Sequence, residues 1–199
     1  MSTTFFLVRH AAHDRVGTVL CGRMPGVRLG ELGRAQARVL AQRFESENVV
    51  SIHTSPLERA VETASPIAAS LGRVAEPSDD IIEIDFGAWS GKTFDMLSDD
   101  ERWRAWNSSR STSRPPGGET MLEAQARIIH GMERLRSLHA EGSVILVSHS
   151  DVIKAALLYH LGMPIDSYGR LEISPASIST LVVGDWGSKV LRINEVIAA

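Results

Sequence analysis

Short apolar, β-branched runs alternate along this chain with segments of helical period, a pattern that predicts an α/β fold with a largely parallel sheet. FFLV at 5–8, VVSIH at 49–53 and VILV at 144–147 have the composition of buried strands, and each is followed by a short turn and then a helix. The first helix is expected from Glu31 to Phe44, with Leu32, Ala35, Val39 and Leu40 on one face. After the second strand, Ser55, Pro56 and Glu58 have the form of a capping box with proline at the first helical position. Leu57, Ala60, Val61, Ala64 and Ala68 supply that helix's apolar stripe, Pro66 is expected to kink it and Gly72 to end it. Thr120 and Glu123 offer a second capping box for a helix to about His139, and a further helix runs from Val152 to Leu161. ASISTLVV at 176–183 and VLRINEV at 190–196, joined around Gly184 and Gly187, predict a closing hairpin and hence a mixed sheet.

One segment breaks the alternation. Residues 98–118 hold Trp103 and Trp106, Arg102, Arg104, Arg110 and Arg114, then a Pro-Pro-Gly-Gly break, which suggests a helix and loop inserted over one end of the sheet as a lid. The 199 residues as a whole, 43% hydrophobic with charges mixed throughout, suit one domain over 1–199. A formal charge of -3 leaves no global basic field for nucleic acid or an anionic membrane, so any anion must be held locally. Cys21 is the only cysteine, which excludes an internal disulfide framework or thiolate zinc cluster and points to a reducing, cytoplasmic setting. FFLV is too short for a signal-peptide core, and no stretch approaches the roughly 20 apolar residues of a membrane span. The chain therefore reads as soluble and unprocessed.

In an open α/β sheet, ligands bind at the carboxyl ends of the strands, where the following helices present free N–H groups. The three strand exits deliver Arg9 and His10; Thr54, Ser55 and, one helical turn on, Arg59; and Ser148, His149 and Ser150. Two histidines and two arginines thus converge where an anion would bind. A phosphoryl group suits that set, because guanidinium forks neutralise its equatorial oxygens while an unprotonated imidazole attacks in line. The leaving oxygen needs a proton, and Glu83, in IIEIDFGAWSG, is the best placed donor by pattern, with Asp85 as the alternative. Discrimination among esters falls to elements outside the phosphate pocket, and Trp106, Arg110 and Arg114 in the inserted segment are the candidates. His10, His13 and Asp14, completed by His53 or His149, also resemble a metal-ligand cluster, although the flanking arginines would repel a divalent cation.

These motifs resemble those of the histidine phosphatase superfamily, also called phosphoglycerate mutase-like. LVRHAAHD is similar to the signature LVRHG, GELGRAQA to the family's helix-opening segment, and TSPLERAVETA to its arginine-bearing segment. IEIDFGAWSG resembles the stretch that carries the acid, PPGGET the PxGES turn of the phosphatase branch, and VILVSHSDVIKAAL the second histidine segment. The resemblance implies a three-layer α/β/α sandwich with a mostly parallel mixed sheet and a phosphohistidine intermediate at His10. It further implies a phosphate pocket of Arg9, His10, Arg59 and His149, with Ser150 beside them, Glu83 as proton donor, and no metal or other cofactor. The chain departs from the pattern at Ala11, where the family has glycine, at His13, Val16 and Ser90, and at Ser150, again in place of glycine. The implied activity is hydrolysis of a small-molecule phosphomonoester; mutase-type phosphoryl transfer and a non-catalytic phospho-ligand module are the alternatives.

Overall fold

The alternation within β1 (Ser2–Arg9) sets the layering. Phe5 and Leu7 pack into one apolar core, Phe6 and Val8 into another on the opposite sheet face, as the two-residue period of a strand requires. The computed structural model describes residues 1–197; Ala198 and Ala199, the last two positions of the domain expected over 1–199, lie outside the described residues. Among the described residues β1 is joined by β2 (Val49–Thr54), β3 (Ala75–Pro77), β4 (Ser143–Ser148), β5 (Ile178–Gly184) and β6 (Gly187–Glu195) in the order β3-β2-β4-β1-β5-β6. The first four of that order run parallel, and β5 and β6 add the antiparallel hairpin that the sequence led us to expect. β3 was not foreseen: AEP has no apolar run, and backbone pairing to β2 alone makes it a strand.

Helices α1 (Glu31–Phe44) and α2 (Glu58–Ser70) pack with Phe6, Val8, Ile52, Ile145 and Val147 on one face. Helices α5 (Met121–Leu138) and α6 (Ser150–His160) cover the other, completing three layers. The segment that breaks the alternation contributes α4 (Glu101–Ser108), preceded by a short helix α3 (Phe94–Ser98). Asp100 caps α4 by accepting from Arg102 N and Trp103 N, and it also accepts from Trp89 Nε1 at 3.0 Å. Trp106 is fully buried edge-on to Phe86 and Trp89, so α4 is pinned to the α5–α6 core.

Two local expectations are corrected. The inward face of α1 is Gly33, Ala37, Leu40, Ala41 and Phe44, while Leu32 is 60% exposed. Gly33 turns inward because the loop after β1 lies directly on it: a Cβ there would stand 1.9 Å from the Ala12 carbonyl oxygen. Gly33→Ala is therefore expected to cost about 2–3 kcal/mol by overpacking. It should also displace the loop next to His10, and thermal unfolding would read the loss. The second correction concerns α2, whose N-cap is Leu57 with no side-chain cap, so Ser55 forms no capping box. Glu58 instead accepts from Gly26 N at 2.8 Å, and Val61 of the expected stripe is exposed. The capping box of Thr120 and Glu123 on α5 is present as expected.

Candidate active site

The sheet ladder continues one residue past the strand ends, with His10 N donating to Ser148 O and Ser55 N to Val147 O, both at 2.9 Å. That register sets His10, Ser55 and His149 side by side at the carboxyl edge. The His10 and His149 rings lie 5.1 Å apart, and His13 stacks on His10 at 5.3 Å. Together with Arg9, Arg59, Glu83 and Ser150, His10 lines a cavity of about 140 Å³. Val19, Leu20, Phe86 and Phe94 form its apolar wall.

Hydrogen bonds fix the state of each imidazole. His10 Nδ1 lies 2.9 Å from Ala11 O; a carbonyl can only accept, so Nδ1 carries the proton and Nε2 keeps a lone pair. Burial, and then the charges of Arg59 and Arg9, hold His10 well below the usual imidazole range, so it is neutral at neutral pH. Arg59 Nη2 donates to Gly22 O at 2.7 Å and lies 3.2 Å from His149 Nδ1, which must accept. His149 therefore carries its proton on Nε2 and donates to Ser55 Oγ at 2.8 Å. Burial and Arg59 likewise keep His149 neutral. His13 is pushed down to about 4 by burial and the same two arginines.

Arg59 is buried and Arg9 half-buried, and both have donors to spare. Arg9 Nη1 donates to Ile173 O at 2.6 Å, yet Arg9 Nε, Arg59 Nε and Arg59 Nη1 have no partner among the described residues. A buried guanidinium with open N–H groups is costly unless an anion meets it, and a phosphoryl group offers the matching oxygens. Arg59 in the first turn of α2 opposes the helix dipole, a placement that a bound anion offsets. Glu83 accepts from Ile84 N at 2.9 Å, with Oε2 3.7 Å from His149 Nδ1. Burial, with the nearby Asp151 charge, raises it to about 7 despite Arg59 and Arg9. Asp85 is turned away, accepting from Gly87 N at 2.8 Å, and is not part of the cavity wall.

The family profile of the histidine phosphatase superfamily (branch 1) matches residues 5–196. The chain belongs to that superfamily. Phosphoserine phosphatase 1 of Hydrogenobacter thermophilus is 30% identical over 193 residues, 94% of this chain and 90% of its own. A probable phosphoglycerate mutase, GpmB of Photorhabdus laumondii, is 32% identical over 178 residues, 87% of this chain and 82% of its own. Among solved structures, Bacillus stearothermophilus YhfR superposes with a TM-score of 0.92 at 25% identity, covering 98% of both chains. The three-layer sandwich of this histidine phosphatase is thus the phosphoglycerate mutase-like fold, and the chain is a phosphomonoester hydrolase of the small-molecule class.

Several residues sit elsewhere than the motifs alone suggested. Trp106, Arg110 and Arg114 do not line the cavity: Arg110 is buried against Asp151, and Arg114 pairs with Glu123 on the surface. The Ala11 N–H does not face the phosphate pocket but donates to Thr63 Oγ1 at 2.9 Å, and its methyl group joins the α1–α2 core. His53 lies beside Glu76 at 3.8 Å, outside the cavity wall, so it does not complete a cluster with His10, His13 and Asp14. Sequence reasoning missed Ser55 as the acceptor for His149, the Gly22 carbonyl as an anchor for Arg59, and Asp151 in the wall. Gly22, at φ +50 with Ser90 and Phe86 pressed against it, and Gly17, at φ +78, are cavity positions whose backbone favours glycine. Among the described residues no helix is long and apolar enough to cross a membrane.

Proposed function

We propose that this histidine phosphatase hydrolyses a small phosphomonoester through a phosphohistidine at His10, working as one domain in the cytoplasm without a metal. The observation that carries the reading is the set of unpartnered guanidinium N–H groups of Arg9 and Arg59 around a neutral His10 whose Nε2 lone pair is open. In the first step Nε2 attacks phosphorus in line, the ester P–O bond breaks, and Glu83 delivers its proton to the leaving oxygen. In the second, water attacks the phosphohistidine, the P–N bond breaks, and the Glu83 carboxylate takes the water's proton. Arg9 and Arg59 hold the charge that spreads over the equatorial oxygens, and His149, its ring 5.1 Å from that of His10, flanks them in the phosphate pocket. Ser150, at the start of α6, completes the phosphate pocket. In this reading Trp106 and Arg110 act on specificity from behind the wall, Arg114 anchors the loop before α5, and residues 98–118 serve as the lid. A buried lone thiol at Cys21 fits a reducing compartment.

The test is turnover of nitrophenyl phosphate in excess EDTA, with and without vanadate. We expect full activity with the chelator and strong inhibition by vanadate, which mimics the trigonal-bipyramidal transition state. Activity lost to EDTA and restored by zinc or manganese would replace this reading with a metal-dependent one.

The raised carboxyl gives a second expected result. A Glu83 carboxyl poised at about 7 is protonated below that pH and ionised above it, so its capacity as an acid declines as pH rises through 7. Turnover of an alkyl phosphate should follow that decline, whereas nitrophenyl phosphate, whose leaving group needs no proton, should follow it weakly. Glu83→Gln should lower kcat/KM, which reports the first step alone, by about 10²–10³-fold for the alkyl phosphate and by less than tenfold for nitrophenyl phosphate. Equal losses on both would remove Glu83 from the role of acid.

A further inference from the structure

Asp151, in the first turn of α6, lines the same cavity as His10, Arg59 and Glu83. Its Oδ2 accepts from Arg110 Nη1 at 2.6 Å. Arg110 is itself buried, its guanidinium carbon 3.6 Å from the centroid of the Tyr168 ring and 4.9 Å from that of Trp106. The inserted segment therefore reaches the cavity through this ion pair. No described residue donates a hydrogen bond to Asp151 Oδ1, and 20% of the side chain remains exposed. Burial pushes the Asp151 carboxyl up, but the charge and hydrogen bond of Arg110, aided by Lys154 and Arg9, outweigh it and keep the group ionised.

The charges around the transferred group are thus divided. Arg9 and Arg59 are the arginines in the wall, and a phosphoryl group engages both. What remains for the alcohol portion is the apolar surface of Val19, Leu20, Phe86 and Phe94, together with one fixed carboxylate. A leaving group with a second anion meets uncompensated repulsion there, while one with an ammonium or hydroxyl finds an acceptor held in place. We propose that Asp151, clamped by Arg110, is a specificity-determining residue that selects phosphomonoesters whose leaving group carries a hydrogen-bond donor and rejects those that carry a carboxylate. The proposal rests on the phosphatase reading and names its substrate class. It also disfavours mutase chemistry on doubly anionic substrates.

The experiment compares kcat/KM for phosphoethanolamine, glycerol 3-phosphate, propyl phosphate and 3-phosphoglycerate, with nitrophenyl phosphate as the reference ester. For the wild-type protein the two donor-bearing esters should exceed propyl phosphate, and 3-phosphoglycerate should be the poorest, at least about tenfold below phosphoethanolamine. A further advantage of phosphoethanolamine over glycerol 3-phosphate assigns the preference to cations, and parity assigns it to donors of either charge. In Asp151→Asn the ratio of phosphoethanolamine to 3-phosphoglycerate should fall at least about tenfold. Because that variant leaves Arg110 buried without its counter-charge, the neutral pair Asp151→Asn with Arg110→Gln is measured beside it and should show the same fall. A wild-type ratio within twofold of unity, or a ratio unchanged in either folded variant, overturns the proposal while nitrophenyl phosphate turnover keeps the phosphatase reading intact. No turnover of any ester, nitrophenyl phosphate included, would overturn both.

Discussion

His10→Ala is expected to abolish turnover, lowering kcat by about 10⁴-fold or more, because neither neighbouring imidazole is free to take the phosphoryl group in its place. His149 is the nearest imidazole, but both its nitrogens are engaged: Nδ1 accepts from Arg59 and Nε2–H donates to Ser55 Oγ. His13 keeps its ring stacked on His10, and its Nδ1 is taken up by the Arg15 N–H at 3.3 Å. The measurement is steady-state hydrolysis of nitrophenyl phosphate, with acid-stable and acid-labile phosphate on the protein separated after rapid quench. A His10→Ala protein that retained a tenth of the wild-type rate, or a wild-type protein that never carried acid-labile phosphate, would defeat the covalent mechanism.

Arg59→Met should lower kcat/KM by about 10³-fold, roughly 4 kcal/mol of transition-state stabilisation, with little change or a gain in melting temperature. The two outcomes are linked by one cause. Arg59 is 1% exposed and leaves Nε and Nη1 without partners, so the folded protein carries a desolvated cation that only substrate satisfies. Methionine keeps the volume and removes that burden, at the loss of the hydrogen bonds to Gly22 O and His149. Arg59→Lys retains a point charge without the fork and should fall between the variant and wild type. A loss of activity that tracked a large fall in melting temperature would make Arg59 a structural residue instead.

The strands and the edge at which they end were legible because their signals are local. FFLV, VVSIH and VILV each end where a polar residue follows an apolar run, and a parallel sheet puts all three ends at the same edge. Glu83 could be found by pattern but not separated from Asp85, since only the turn around Gly87 decides which carboxyl is used internally. Ser55 was visible as a strand exit, yet its position ahead of Pro56 and Glu58 matched a helix cap equally well. The competing partner, His149, lies far away in sequence and no local rule could supply it. The face of α1 failed for a related reason: hydrophobic period favoured Leu32, while the contact that orients the helix is a glycine against the Ala12 carbonyl. Arg110 carried a signal of charge beside tryptophan, but the anion it meets belongs to the protein's own α6.

The central position of β1 has a consequence for how this enzyme is made. Phe6 pairs with Ile145 on one side and with Thr180 on the other, so the strand that leads to His10 finds both neighbours only in the last third of the chain. Contacts of such separation require large loops to close before any pairing energy returns, which slows folding. At a synthesis rate of about 5–20 residues per second, β1 leaves the ribosome well before β4 or β5 exists. Through that interval its apolar Phe5–Val8 run has no sheet to enter, which makes the nascent chain a natural client for chaperones and leaves it without activity until the C-terminal hairpin docks.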